Sequence, residues 1–206
     1  VIVSAPSGAG KTTLCHRIID KANGSAVFSV SCTTRRPRPG EENGREYWFL
    51  SEDDFLRRVE ANEFLEHAKV HDHYYGTLKQ TVGEHLSAGR DVFLDIDVQG
   101  AEQIRATSSL RMNEDQVLPL EAFLCQVFLL PPSMEILEAR LRGRASDPED
   151  EVRQRMRNAH AELTHWTKYD HVVINDDLEL ATAQVQEILR VERTRIARFI
   201  ALSGER

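Results

Sequence analysis

The sequence predicts an α/β fold built on a parallel sheet, and three observations carry that expectation. Short apolar runs recur at Val1-Ile2-Val3, Val92-Phe93-Leu94-Asp95-Ile96, Val127-Phe128-Leu129-Leu130 and Val172-Val173-Ile174, as expected of strands covered on both faces. Helix-like sequence separates each run from the next. A Pro/Gly-rich turn, Pro6 to Gly10, joins the first run to a helical pattern in which Leu14, Cys15, Ile18 and Ile19 share a face and Asn23-Gly24 marks the end.

Composition narrows the class of protein. The chain has 206 residues, 41% of them hydrophobic and 29% charged, which fits one cytosolic domain with inserted lobes. No apolar run approaches the ~20 residues that span a bilayer, so no membrane span is expected. A net charge of −7 disfavours broad polyanion binding, so nucleic acid is not an expected partner. Three scattered cysteines, Cys15, Cys32 and Cys125, suggest neither a disulfide framework nor a metal knuckle. Val1 lies within an apolar run, so a natural start upstream is expected.

Two stretches break the α/β rhythm. From Val27 to about Thr81 the pattern is strand-like and turn-rich, with Phe28 to Ser31, Arg45 to Leu50 and Phe64 to His67 separated by Pro37, Pro39, Gly40 and Gly44. This predicts a small, mostly β lobe. From Pro131 to about Leu163 two helices are predicted, joined by Arg142 to Ser146. The second starts with Asp147 as N-cap, Pro148 in the first turn and Glu149-Asp150-Glu151 against the positive helix end, and its stripe runs Val152, Met156, Ala159, Leu163, Trp166. Capping explains that acidic run better than a metal site does. His67, His71 and His73 beside Asp72 likewise read as loop histidines. A last amphipathic helix is expected from Leu178 to Leu202, with Leu180, Val185, Ile188, Leu189, Ile196 and Phe199 covering the core.

Ala5-Pro6-Ser7-Gly8-Ala9-Gly10-Lys11-Thr12 is a phosphate loop between strand and helix. Its glycines let successive N–H groups turn toward phosphate oxygens, and the helix N-terminus adds its dipole. Lys11 is positioned for the β- and γ-phosphates, Thr12 for Mg²⁺, and Thr13 completes the turn. Ala5 stands where the pattern has its first glycine; that position only begins the turn, so a small residue suffices. Such a loop predicts a nucleoside triphosphate and leaves the acceptor open.

The residues downstream carry a more specific resemblance. Ser31-Cys-Thr-Thr-Arg35-Arg36-Pro37-Arg38-Pro-Gly-Glu41, Asn43-Gly-Arg-Glu-Tyr47, Asn62 to Ala68 and Tyr74-Tyr75-Gly76-Thr77 resemble the monophosphate-binding lobe of guanylate kinases. Leu94 to Gly100, Arg140-Leu-Arg-Gly-Arg144 and Ile174-Asn175-Asp176-Asp177 continue the match in the family's order. The resemblance implies a phosphate-loop NTPase core of three layers at 1–26, 82–130 and 164–206, a GMP-binding lobe at 27–81 and a helical lid at 131–163. It implies phosphorylation of GMP or dGMP by ATP with Mg²⁺, in the cytoplasm.

Each site residue follows from that resemblance together with what its side chain can do. Arg35 and Arg38 offer forks to a dianionic phosphate, and Tyr47 and Tyr75 add neutral donors. Glu66 accepts the adjacent N1–H and amino donors of guanine, while Ser31 and Thr77 are the hydroxyls expected at O6, beside Gly76. Asp95 and Asp97 alternate around Ile96 at a strand end, where α/β proteins place ligands. One is expected to organise Mg²⁺ through water and the other, Asp97 by preference, to contact the guanosine. Arg140, Arg144 and Arg155 are the lid cations expected to neutralise the transferred charge. Asn175 matches the adenine-edge contact. Arg142, Arg153 and Arg157 read as solvated helix charges.

Two rival readings remain at this level: a non-catalytic guanylate-kinase-like module that binds phosphorylated peptides, and a phosphate-loop kinase with another acceptor. The segment Thr107 to Ala122 is longer than the resemblance implies and reads as a tolerated surface loop. Monomer and homodimer are both open.

Overall fold

The structure is a computed structural model that describes residues 1–70, 72–111, 116–143 and 149–203. Strand β1 (Ile2–Ser4) leads through the glycine turn to α1 (Lys11–Lys21), then β2 (Ala26–Phe28), β3 (Cys32–Thr33), β4 (Trp48–Phe49), α2 (Glu52–Glu60), β5 (Phe64–Val70) and β6 (His73–Leu78). Next come α3 (Lys79–Ser87), β7 (Asp91–Asp95), α4 (Val98–Ala106), β8 (Ser109–Arg111), β9 (Val117–Pro119), α5 (Leu120–Phe123) and β10 (Gln126–Leu130). The chain ends with α6 (Met134–Arg142), α7 (Glu149–Leu163), a 3₁₀ turn at Trp166–Lys168, β11 (His171–Ile174), α8 (Leu178–Glu192) and α9 (Ile196–Ser203). Packing divides these elements into two units, one of Val1–Asn23, Leu94–Val98 and Leu124–Arg206, the other of Gly24–Phe93 and Gln99–Phe123.

In the first unit β10 lies between β11 and β1, β1 also pairs with the end of β7, and every pairing is parallel. Ile2, Val3, Val127, Phe128 and Leu129 are fully buried, which is why their runs carry no polar alternation. β11 departs from the expected pattern. Val172 and Ile174 are exposed while Val173 is buried, because among the described residues this edge strand pairs with β10 alone and only one face is covered.

Helices α6 and α7 pack through Leu137, Leu141, Val152 and Ala159, with Met134 and Met156 against them. Arg142 is exposed, as expected, and from the surface it bridges the pair by binding both Glu138 and Glu149, which holds the Glu149 carboxyl down at about 2. Asp147, Pro148 and Arg144 lie outside the described residues, as does His71. Trp166 does not continue the α7 stripe: the helix stops at Leu163, and the exposed indole begins the 3₁₀ turn.

The single C-terminal helix expected from the sequence is two helices, interrupted at 193–195. The face that α8 buries runs Ala181, Val185, Leu189 and Glu192, at spacings of three and four. Leu180, Ile196 and Phe199 are exposed, so they do not cover the core. Glu192 is buried among Arg195, Arg198 and His171, with Cys125 nearby. The two guanidiniums already match its charge, and the group reads as an ion-pair network at the foot of the sheet.

In the second unit β2 runs parallel to Asp91–Phe93 of β7, so Val27 and Phe28 belong to the parallel sheet and not to the lobe's own. The lobe sheet has the order β4-β3-β6-β5. Helix α2 is an addition to the β lobe read from the sequence. Ser51 caps it by accepting the Asp54 N–H, and Phe55 stacks on Phe64 (4.4 Å) and Tyr74 (5.4 Å). The signal Ser51-Glu-Asp-Asp54 before an apolar residue was available in the sequence. The expected surface loop at Thr107 to Ala122 is an antiparallel hairpin, β8 with β9, leading into α5. Leu110, Leu118, Leu120 and Ala122 are buried, so the segment has an apolar anchor of its own.

All three cysteines are free and buried, and burial raises their thiols to about 12 (Cys15), 11 (Cys32) and 11 (Cys125). Such thiols are poor nucleophiles and poor metal ligands. Among the described residues no helix is long and apolar enough to cross a membrane.

Candidate active site

The first cluster of site residues lies in the first unit, at the C-terminal end of β1. Helices α2, α6 and α8 begin with side-chain caps from Ser51, Ser133 and Asp177. Helix α1 begins without one: Gly10 stands at its N-cap in the left-handed region (φ 90°), and no acid occupies its first turn. Its first N–H groups and dipole are therefore left for an anion. Gly8 also has φ 90°, and a Cβ there would lie 3.0 Å from Leu141 and 3.1 Å from Leu137. A Cβ on Gly10 would stand 2.5 Å from the Asn175 amide nitrogen.

The loop is braced from three sides. Lys11 Nζ lies 2.6 Å from Asp95 Oδ1 and donates to the Ile96 carbonyl at 3.1 Å. The Thr12 hydroxyl donates to Asp95 Oδ2 at 2.8 Å. Asn175 Nδ2 donates to the Ala9 carbonyl at 2.7 Å, and the Arg140 guanidinium donates to the Asn175 carbonyl at 3.0 Å. Asn175 is buried, so the residue expected at an adenine edge also holds the loop from beneath. Asp95, grouped with Asp97 from the sequence, meets the loop through Lys11 and Thr12. Pro6 and Ala9 are buried, whereas Ser7, Thr12 and Thr13 are exposed. Arg155 pairs with Glu151 one turn back on α7.

Gly10→Ala tests this brace. The left-handed conformation costs an L-residue about 1–2 kcal/mol, and the new methyl meets Asn175 as well. A lowered denaturation midpoint together with loss of ATP-dependent turnover is expected; an alanine variant with wild-type midpoint and KM for ATP contradicts the described packing.

The second cluster lies in the second unit. Arg35 is largely buried, and its guanidinium sits over the rings of Tyr47 (5.5 Å) and Phe49 (5.8 Å). Tyr47 packs edge-on against Tyr75, 5.9 Å away. Two Arg35 nitrogens donate to the two Glu41 oxygens, each at 2.9 Å. Glu41 also accepts the Arg38 backbone N–H at 2.7 Å, while the Arg38 side chain is exposed. Sequence reading quoted Glu41 without giving it a role. The available signal was an acid three residues after the last arginine of Arg35-Arg36-Pro37-Arg38, placed to fix the direction of the Arg35 fork.

Glu66 is 6% exposed, and Thr77, fully buried, donates its hydroxyl to Glu66 Oε1 at 2.6 Å. The pairing depends on a bulge. Phe64 lies opposite Leu78 but Glu66 lies opposite Thr77, so β5 carries one extra residue there. As a result Phe64, Leu65 and Glu66 are buried in succession. A hydroxyl has one proton to give, so Thr77 serves the carboxylate here and not the O6 position, for which Ser31 is the remaining expected donor. Beyond the bulge, Gln103 pairs with the backbone of His67 through both amide atoms, at 3.0 and 2.8 Å. Gly76 has a packing reason: a Cβ there would lie 2.8 Å from the Phe64 ring and 3.0 Å from the Glu66 carbonyl.

The residues that the resemblance singled out thus include a lysine held by Asp95 at an uncapped helix start, a buried carboxylate and an arginine held on aromatic rings. The guanylate kinase family model matches residues 1–192. This chain belongs to the guanylate kinase family. It is 45% identical over 202 residues to the guanylate kinase of Paramagnetospirillum magneticum, a match that covers 98% of this chain and 88% of that one. It is 42% identical to that of Caldanaerobacter subterraneus over 96% of this chain and 89% of the relative. A crystal structure of guanylate kinase from Anaplasma phagocytophilum superposes with a TM-score of 0.70 at 30% identity, over 96% of this chain and 87% of the other. The fold is therefore that of the phosphate-loop NTPases, and the family is one of nucleoside monophosphate kinases.

Proposed function

We propose that this guanylate kinase family member transfers the γ-phosphoryl group of ATP to GMP or dGMP, using the two clusters as its triphosphate and monophosphate sites. The reading rests above all on Glu66, a buried carboxylate held by Thr77. Guanine presents two adjacent donors to such an acceptor. Adenine would set an acceptor against it and leave buried groups unpaired, a mismatch worth about 10⁴-fold or more in selectivity.

The remaining roles follow from charge. Arg35, Arg38, Tyr47 and Tyr75 receive the monophosphate dianion, with Glu41 fixing the direction of Arg35. The loop Pro6 to Thr13 receives the triphosphate, with Lys11 at the β- and γ-phosphates. The Thr12 hydroxyl and the Asp95 carboxylate, in contact with one another, make an oxygen set that suits Mg²⁺, whose charge would offset that of the bound phosphates. Asp97 is assigned to the guanosine and Asn175 to the adenine edge. Arg140, Arg144 and Arg155, on a lid at 131–163, neutralise the charge that accumulates in transfer and exclude water. The lobe is 27–81 less Val27 and Phe28, which pair with β7, and the core is 1–26, 82–130 and 164–206. Positioning and charge stabilisation carry the reaction, with no covalent enzyme intermediate. Three free thiols support a reducing, cytoplasmic setting.

Coupled ADP release with GMP, AMP, UMP and TMP as acceptors tests the reading. GMP is expected to exceed AMP by several orders of magnitude; equal turnover with AMP, or none with GMP, overturns it. The phosphopeptide-module reading is disfavoured because Lys11, Thr12 and Asp95 form an intact triphosphate cage.

A further inference from the structure

Strand β5 is the outer strand of the lobe sheet, so among the described residues its backbone groups that face away from β6 have no strand to pair with. Gln103 of α4 takes that place at one residue. Its Oε1 accepts the His67 N–H at 3.0 Å, and its Nε2 donates to the His67 carbonyl at 2.8 Å. A primary amide suits both bonds at once, since a carboxylate only accepts and an ammonium only donates. The helix that carries it is seated by Ala101 and Ile104, both buried, and the Thr107 hydroxyl donates to the Gln103 carbonyl at 3.1 Å. Gln103 itself is exposed and lies 36 positions from His67, and no sequence signal set it apart.

We propose that Gln103 is a positioning residue for base recognition: by holding His67 it fixes the bulged register of β5, and with it the place of the Glu66 carboxylate. This rests on the reading of Glu66 as the guanine acceptor. The strand has two registers open to it. In the one observed, the extra residue falls between Phe64 and Glu66, so Glu66 lies opposite Thr77 and His67 opposite Gly76. Regular pairing continued from Phe64 and Leu78 would instead set Leu65 opposite Thr77 and Glu66 opposite Gly76. A slip of one residue turns the side chains that follow it to the other face of the sheet, and Glu66 would lose Thr77. The observed register is pinned from both edges just after the bulge: Thr77 holds Glu66 at 2.6 Å from one side, and Gln103 holds His67 from the other. Because Gln103 is exposed, its bonds compete with water and add little to folding. Their loss is therefore read in the placement of Glu66 and not in stability.

The test measures kcat/KM of Gln103→Met and Gln103→Ala with two acceptors, GMP and inosine monophosphate, whose base keeps N1–H but lacks the amino group. Methionine keeps the length and helix preference of glutamine without its hydrogen bonds, and alanine excludes an effect of the thioether. For both variants kcat/KM for GMP is expected to fall about 10- to 100-fold, the cost of displacing a recognition group by about 1 Å. KM for ATP and the denaturation midpoint are expected to stay nearly unchanged. Inosine monophosphate offers Glu66 one donor in place of two, so its loss is expected to be smaller, and the wild-type preference for GMP over it to shrink about 10-fold. That ratio does not depend on the fraction of enzyme folded. Turnover of GMP within about twofold of wild type overturns the proposal, because the register then needs no clamp. An equal loss with both acceptors overturns it as well, because Gln103 then supports the lobe without aligning Glu66. A wild type that uses the two acceptors equally overturns the reading of Glu66 itself, and the proposal with it.

Discussion

Replacing Lys11 by alanine is expected to lower kcat by about 10³-fold or more while leaving GMP binding unchanged. Lys11 is the first residue of α1, and the contacts of its ammonium with Asp95 and the Ile96 carbonyl hold it in the loop before nucleotide arrives. Its removal therefore takes away a charge already in place, which reorganisation of water cannot match. Folding should survive the change. Asp95 is partly exposed and keeps the Thr12 hydroxyl, so its carboxylate is not left without a partner when the ammonium goes. Arg35, Tyr47 and Glu66 stand in the second unit, which has a core cluster of its own in Cys32, Phe55 and Phe64. GMP titration and steady-state turnover on the same preparation decide the matter. Turnover near the wild-type rate refutes the triphosphate assignment.

Glu66→Gln is expected to reduce kcat/KM for GMP by about 10⁴-fold with KM for ATP little affected. The amide is nearly the same size, so the bulge and the packing of Phe64 and Leu65 remain. Its oxygen can still accept the Thr77 hydroxyl, which now contacts a carboxylate oxygen at 2.6 Å. Its NH₂, however, meets a base edge that presents donors, and the charge that strengthened both base contacts is gone. The ratio of GMP to AMP turnover should therefore fall sharply. A variant that keeps both GMP turnover and discrimination shows that another group reads the base. Glu66→Asp separates reach from charge: it keeps the charge but withdraws the carboxylate by one methylene, and a partial loss is expected.

Much of the phosphate loop was legible because it is local. Gly8, Gly10, Lys11 and Thr12 act within one turn, and the preceding strand and following helix are written in adjacent residues. The family resemblance likewise singled out Arg35, Glu66 and the lid arginines by short motifs, with Arg144 lying outside the described residues. The edge exposure of Val172 and Ile174 was not legible, since a short apolar run reads alike whether one face or two are covered. Nor was the break between α8 and α9, because the apolar residues on each side mimic one continued stripe. The hairpin at Thr107 to Ala122 was missed for a similar reason: its anchors Leu110 and Leu118 are single apolar residues in polar surroundings.

The sequence by itself determined the α/β class, the triphosphate loop and the kind of acceptor, because each rests on residue types at short, fixed spacing. The tertiary structure alone decided which charges are paired. It brought Asp95 to Lys11 across 84 positions of chain, Glu41 onto Arg35, and Asn175 to the Ala9 carbonyl. It also inserted the bulge that turns Glu66 toward Thr77. Hydrogen bonds and ion pairs fall off within a few ångströms, so partners distant in sequence are set by the packing of strands and helices. No local pattern encodes that distance.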